Sequence, residues 1–263
     1  MGEWTWEPDD FAALWFSAAN DRFPRPLHHR SRFTFREDFD THRTEVRESY
    51  DSDEMEEIQL ALHTLTTSDV RIEILGGTTK HRANDGSRRE YRLLGARNLY
   101  HAVVLFQSAA NGEHGQVRLR TCSTEALPAR IVNFLPGCNP GSAGAAVFHA
   151  QDLARPRDPH FGASRHNDSL VQYKGLLDRP VDGGGNAGLL IGPIHDRPSP
   201  RNTLRWYDIT DDGRYTEQRT AEHITVRPTV PQDLAAEFTT WINKAVQQLR
   251  EETDDNVLHP YDA

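Results

Sequence analysis

Gly183-Gly184-Gly185-Asn186-Ala187-Gly188 has the spacing G-x-G-x-x-G, which can bring a backbone close to a pyrophosphate. That chemistry needs a strand before the glycines and a helix after them, because the phosphates sit on the helix N-terminus. Neither flank supplies it. GLLDRPVD precedes the run with Pro180 and two aspartates, and LLIGPIHDRPSP follows it with Gly192, Pro193, Pro198 and Pro200. Proline removes an amide donor and clashes inside a helix, so no long helix starts at Gly188. Leu189-Leu190-Ile191 reads as a short strand, and the glycines read as a flexible lead-in to it. Small-molecule or nucleotide binding by 183–188 is kept as an alternative function.

The other reactive side chains form no catalytic set. There is no G-x-S-x-G, no P-loop and no H-E-x-x-H. His160 and His166 share a Pro- and Arg-rich segment with Asp158 and Asp168, where an oxygen and imidazole metal site is conceivable, but loop histidines are far more often solvated. His28 and His29 are adjacent, so on a helix they face different ways. Cys122 and Cys138 make neither a zinc framework nor a disulfide scaffold, and Cys122 reads as a buried thiol. Asp211-Asp212 has an evident turn role. No catalytic, cofactor-binding or metal residue is assigned and no cofactor is expected; the chain reads as one that grips another protein.

The 263 residues are 37% hydrophobic and 26% charged, with a net charge of −9. At this length roughly three quarters of the unfolded surface can be buried, enough for a real core. The acidic balance argues against nucleic acid and anionic membranes as partners. No apolar stretch approaches a membrane span and the start, Met-Gly-Glu-Trp-Thr-Trp, is no signal peptide, so a cytosolic protein is expected.

Periodicity places the elements. EWTWE (3–7) reads as a strand, and Pro8-Asp9-Asp10 opens a helix with Phe11, Leu14 and Trp15 on its apolar face. SRFTFR (31–36) alternates as a strand, and 37–54 reads as a loose helix or a partly disordered stretch. Ser52 or Asp53 caps a helix carrying Met55, Ile58, Leu62 and Leu65. Val70, Ile72 and Ile74 alternate with Arg71 and Glu73 as a half-buried strand, followed by a charged loop over 76–89. Two strands fill 91–105, and Asn111-Gly112 turns a hairpin. A helix begins at Thr124, 141–150 is strand material, 155–168 reads as mobile, and 170–177 as a short helix. Strands at 189–195, 203–210 and 214–219 follow, the last two joined at Asp212-Gly213, then Ile224-Thr225-Val226 and a final helix from Pro231. Residues 251–263 read as a frayed acidic tail.

Laying 116–135 over 223–242 without gaps pairs Val117 with Ile224, Leu119 with Val226, Leu127 with Leu234, Ile131 with Phe238 and Phe134 with Trp241. This echo predicts one domain with pseudo-repeat halves of about 1–138 and 139–250 that share a sheet, plus the tail 251–263.

The last third resembles the EspG family of type VII (ESX) secretion-associated proteins. The resemblance is carried by Gly183-Gly184-Gly185 leading into a strand, the basic segment Arg197-Pro198-Ser199-Pro200, the run from Trp206 to Tyr215, Ile224-Thr225-Val226, and the helix from Leu234. FAALW (11–15), Pro24-Arg25-Pro26-Leu27 and DVRIEILGG (69–77) are similar too, whereas 31–54 is more acidic and aromatic than the family pattern. The resemblance implies an α+β fold: a central, mostly antiparallel sheet flanked by helical bundles, with pseudo-two-fold symmetry. It implies a cytosolic, non-enzymatic chaperone that binds the apolar helical tip of PE–PPE-like secreted heterodimers and keeps them soluble. It also implies partner contacts in the loop after the first central strand and in the C-terminal helices. By position the loop candidates are Thr78, Lys80, His81, Arg82, Arg88 and Arg89. A self-associating scaffold without such a client, homodimeric when client-free, is the other alternative.

Overall fold

Helix α1 (Pro8–Trp15) starts where Pro8 fits the first turn and Asp9 and Asp10 meet the positive end of the helix dipole. It follows strand β1 (Glu3–Trp6). Helix α3 (Ser52–Thr66) is capped one residue earlier than expected: the Asp51 carboxylate accepts from the Glu54 amide at 2.9 Å. Between them, 31–35 is loop rather than strand, and Arg36–Glu48 is a regular helix, α2. Helix α2 buries no residue fully and lies as an outer layer on α1, tied by His42 to Asp10 at 2.8 Å and by Arg47 to the Ala13 carbonyl at 3.1 Å. The alternating aromatics that suggested a strand serve this contact instead, with Phe33 against Phe39 and His42.

The computed structural model describes residues 2–80, 87–154 and 165–258, with backbone only for 154, 165–168 and 253–258. The metal site drawn around His160 and His166, and the mobility expected for 155–168, lie outside the described residues and side chains.

Ten strands form one sheet: β2 (Val70–Thr78), β3 (Arg89–Arg97), β4 (Ala102–Ala110), β5 (Glu113–Cys122), β6 (Ala146–His149), β7 (Val181–Ile191), β8 (Asn202–Ile209), β9 (Arg214–Arg219), β10 (His223–Pro228) and β1. Their order is β1-β5-β4-β3-β2-β7-β8-β9-β10-β6, and all nine neighbouring pairs are antiparallel. Read outward from the β2–β7 seam, the two halves have the same strand order. The hairpin turns form where φ is positive: Asn111-Gly112 joins β4 to β5, and Asp211 opens the β8–β9 turn.

Several expected boundaries move. Strand β2 continues through Gly76 and Gly77 to Thr78, β6 is only four residues long, and β7 stops at Ile191. The glycine run is not a lead-in; it is the body of β7, paired Gly183 to Thr78 and Gly185 to Gly76. Helix α4 begins at Leu127 (Leu127–Asn133), α5 spans Ala150–Ala154, and α6 (Arg165–Leu177) starts earlier than expected. The final helix α7 (Pro231–Leu258) runs into the acidic tail instead of ending before it.

Helices pack on both faces of the sheet, so strand side chains of both parities contribute to the core. On one face, Ile72, Ile74, Leu93, Val104, Leu189 and Trp206 meet Ile131 of α4 and Phe238, Trp241 and Ile242 of α7. On the other, α1 and α3 put Phe11, Trp15, Ile58 and Leu65 against Leu94, Val103, Leu105 and Leu119. On that same second face, α5 and α6 bring Leu153, Tyr173, Leu176 and Leu177 to Phe148, Tyr215, Ile224 and Val226.

Candidate functional site

The two helical layers on the second face leave the middle of the sheet bare. The cross-strand registers order the residues on this face in three rows: Glu90, Gly77, Gly184 and Tyr207; Arg92, Leu75, Asn186 and Arg205; Glu73, Gly188 and Thr203. The bare strip is three strands wide, β2, β7 and β8. At about 4.8 Å between neighbouring strands this is ~14 Å, close to the ~10–12 Å diameter of a helix with its side chains. Depressions of about 350 and 530 Å³ lie along the strip and share Leu75, Asn186 and Arg205. A third, about 410 Å³, continues under the 192–200 segment.

One large aliphatic side chain, Leu75, stands in the middle row between Arg92 and Asn186, and a second, Val181, stands at the start of β7. Leu75 is 45% exposed and Val181 44%, unusual for large aliphatic side chains on interior strands. Glycine keeps the neighbouring backbone free of side chains: a Cβ on Gly184 would stand 2.5 Å from the Trp206 carbonyl oxygen, and one on Gly77 would meet the Arg88 guanidinium. The walls are polar. The Glu217 carboxylate accepts from Arg219 at 2.6 Å and from Tyr173 at 2.8 Å. Burial and that carboxylate push the Tyr173 hydroxyl up to about 12 and raise Tyr207 as well. Arg92 reaches Glu90 at 3.2 Å and His114 at 3.1 Å. None of these groups is set against a nucleophile in the manner of a catalytic set. Among the described residues no group of three or more His, Cys, Asp or Glu side chains could hold a metal ion.

One end of the trough is fixed by Arg71. Its guanidinium, 1% exposed, donates to the carbonyls of Gly192, Pro193 and Asp196 and reaches Glu73 at 3.3 Å, which pins the β7–β8 connection. The other end is the β2–β3 loop, where the sequence placed its candidates. Thr78 closes β2, 3% exposed, and accepts from the Lys80 amide at 3.1 Å, fixing the chain where it leaves the strand. Lys80 is exposed, with its ammonium 3.9 Å from Asp182 and 3.6 Å from the Cys138 sulfur. Arg88 and Arg89 are exposed where the chain enters β3. His81 and Arg82 lie outside the described residues.

Sequence reasoning passed over Leu75, Val181 and Arg205, and met Asn186 only as part of the 183–188 glycine run. One signal was available for Leu75: in Val70 to Leu75 the alternation fails at Ile74-Leu75, so one of two adjacent aliphatic residues must face away from the α4–α7 core. The glycine run offers no dinucleotide turn, because β7 holds it in an extended ladder and a loop, not a helix, follows Ile191.

A family model described as the EspG family matches residues 7–239. No curated protein matches the sequence. Among solved structures, a chain in the complex of the Mycobacterium tuberculosis type VII secretion system chaperone EspG5 with a PE25-PPE41 dimer superposes with a TM-score of 0.55. It is 13% identical, and the match covers 89% of this chain and 94% of that one, so it shows a shared fold. HtdX of Mycobacterium tuberculosis, 10% identical over 87% of this chain and 100% of its own, reaches a TM-score of only 0.19 and carries no argument. No helix among the described residues is long and apolar enough to cross a membrane.

Proposed function

The chain belongs to the EspG family, and on that premise we propose that it is a non-enzymatic, cytosolic chaperone of a type VII (ESX) secretion system. It seats the apolar helical tip of a PE–PPE-like heterodimer in the trough and thereby keeps that tip from aggregating. The observation that carries this reading is the helix-wide bare strip on β2, β7 and β8, bounded by helical layers and floored by Leu75. A sheet face normally buries itself against a helix, so a gap of one helix in the layer is a place for a helix from elsewhere. The solved relative, bound to its PE25-PPE41 dimer, supports the same class of partner. Lys80, Arg88 and Arg89 at the loop end of the trough are proposed as rim contacts, with Thr78 holding the loop in place.

Co-expression with a PE–PPE-like pair tests this. The expected result is a one-to-one-to-one complex, with the pair soluble only in its company. Leu75→Asp, at an exposed position, leaves the thermal midpoint within ~2 °C of wild type and lowers soluble client about ten-fold. A client that stays soluble alone rules out the solubilising role, and a Leu75→Asp protein that still forms the complex rules the trough out as the docking site.

A further inference from the structure

The charge of the trough opposes the charge of the molecule. The chain carries −9, yet Arg88, Arg92, Arg205 and Arg219 outnumber Glu73, Glu90 and Glu217 along the strip. Each glutamate already has its own arginine: Glu217 with Arg219 at 2.6 Å, Glu90 with Arg92 at 3.2 Å, Glu73 with Arg71 at 3.3 Å. Arg205 is different. It stands in the middle row between Asn186 and Glu217, is exposed, and forms no salt bridge with a carboxylate among the described residues. Its guanidinium lies close enough to Tyr207 to oppose the rise that burial and Glu217 impose on that hydroxyl. A planar guanidinium held this way presents its remaining N–H groups to whatever enters, and a carboxylate matches their fork.

Resting on the docking reading above, we propose that the helical tip entering the trough carries carboxylates beside its apolar side chains, one of them paired with Arg205. The net negative charge of the protein disfavours an acidic partner away from such cationic surface, so the cationic strip orients the encounter as well as completing the contact.

The test uses the full chain and two synthetic helical hairpins with the same Leu-Phe tip, one flanked by glutamates and the other by lysines. Binding is followed by fluorescence anisotropy at about 50 and about 500 mM NaCl, where screening is weak and strong respectively. The glutamate hairpin is expected to bind ~10-fold more tightly at low salt, with the gap closing to about two-fold at high salt. Arg205→Glu removes the preference. Arg118→Glu, at an exposed arginine on the other face of β5, keeps it. Thermal unfolding confirms that both variants are folded. Equal binding of the two hairpins, or a preference that survives Arg205→Glu, overturns the proposal and leaves the docking reading standing. If neither hairpin binds, the docking reading falls and the proposal with it.

Discussion

Arg71 has the sequence position of a solvent-facing strand residue and ends up buried. The reason is local: Gly192, Pro193 and Asp196 turn their carbonyls inward, and five guanidinium N–H groups are the donors that satisfy them. Arg71→Met keeps the bulk and removes the donors. It should cost about 2–4 kcal/mol in urea unfolding, because the carbonyls stay buried without partners. A cost under ~0.5 kcal/mol would mean the segment is held by something else. His28 and His114 make a second residue-scale prediction. Their rings stack at 5.5 Å, and burial, then the Arg92 guanidinium, holds both below the ordinary imidazole range, with Arg25 also acting on His28 and Glu90 opposing. The unfolded histidines take protons near pH ~6.5 while the folded ones resist. Stability therefore falls as pH drops from there through the lowered folded values, and levels off below them. A urea midpoint that decreases between about pH 7 and pH 5, and a flatter profile in His114→Gln, is the expected result.

At the scale of elements, β7 shows how far glycine can be structural. Gly185 faces Trp206: a Cβ there would lie 2.5 Å from the indole and 2.7 Å from the Leu75 carbonyl oxygen. Gly185→Ala should cost ~1–3 kcal/mol by overpacking, with an unchanged m-value in urea titration. A neutral or stabilising result would show that strand entropy, and not this contact, decides the position. The same strand explains why the glycines misled at the sequence level: in isolation they read as flexibility, and β2 and β8 on either side turn them into ladder. For 37–54 the sequence left a loose helix and a partly disordered stretch both open, because the segment is strongly polar and buries no residue fully. The neighbouring chain favours the helix: Asp10, Ala13 and Phe16 accept from its His42 and Arg47.

For the whole molecule, the seam between β2 and β7 is the decisive junction. Nine residue pairs, Val70–Ile191 to Thr78–Gly183, join the halves, and the core on the α4–α7 face draws residues from both. Residues 1–138 expressed alone should therefore aggregate, since the open β2 edge and half a core are left exposed. A soluble, cooperatively unfolding 1–138 fragment would show instead that each half folds independently.

The sequence by itself determined most strands and hairpins and the echo between 116–135 and 223–242, because hydrophobic period and turn chemistry are local properties of the chain; the α+β class came with the family resemblance that its short motifs carry. Tertiary structure alone decided the trough. Leu75, Asn186 and Arg205 lie far apart in sequence, and only the registers of β2, β7 and β8 set them in one row. Their exposure depends on where the α1–α3 and α5–α6 layers stop. A gap in packing is a relation between distant elements, and no single stretch of chain encodes it.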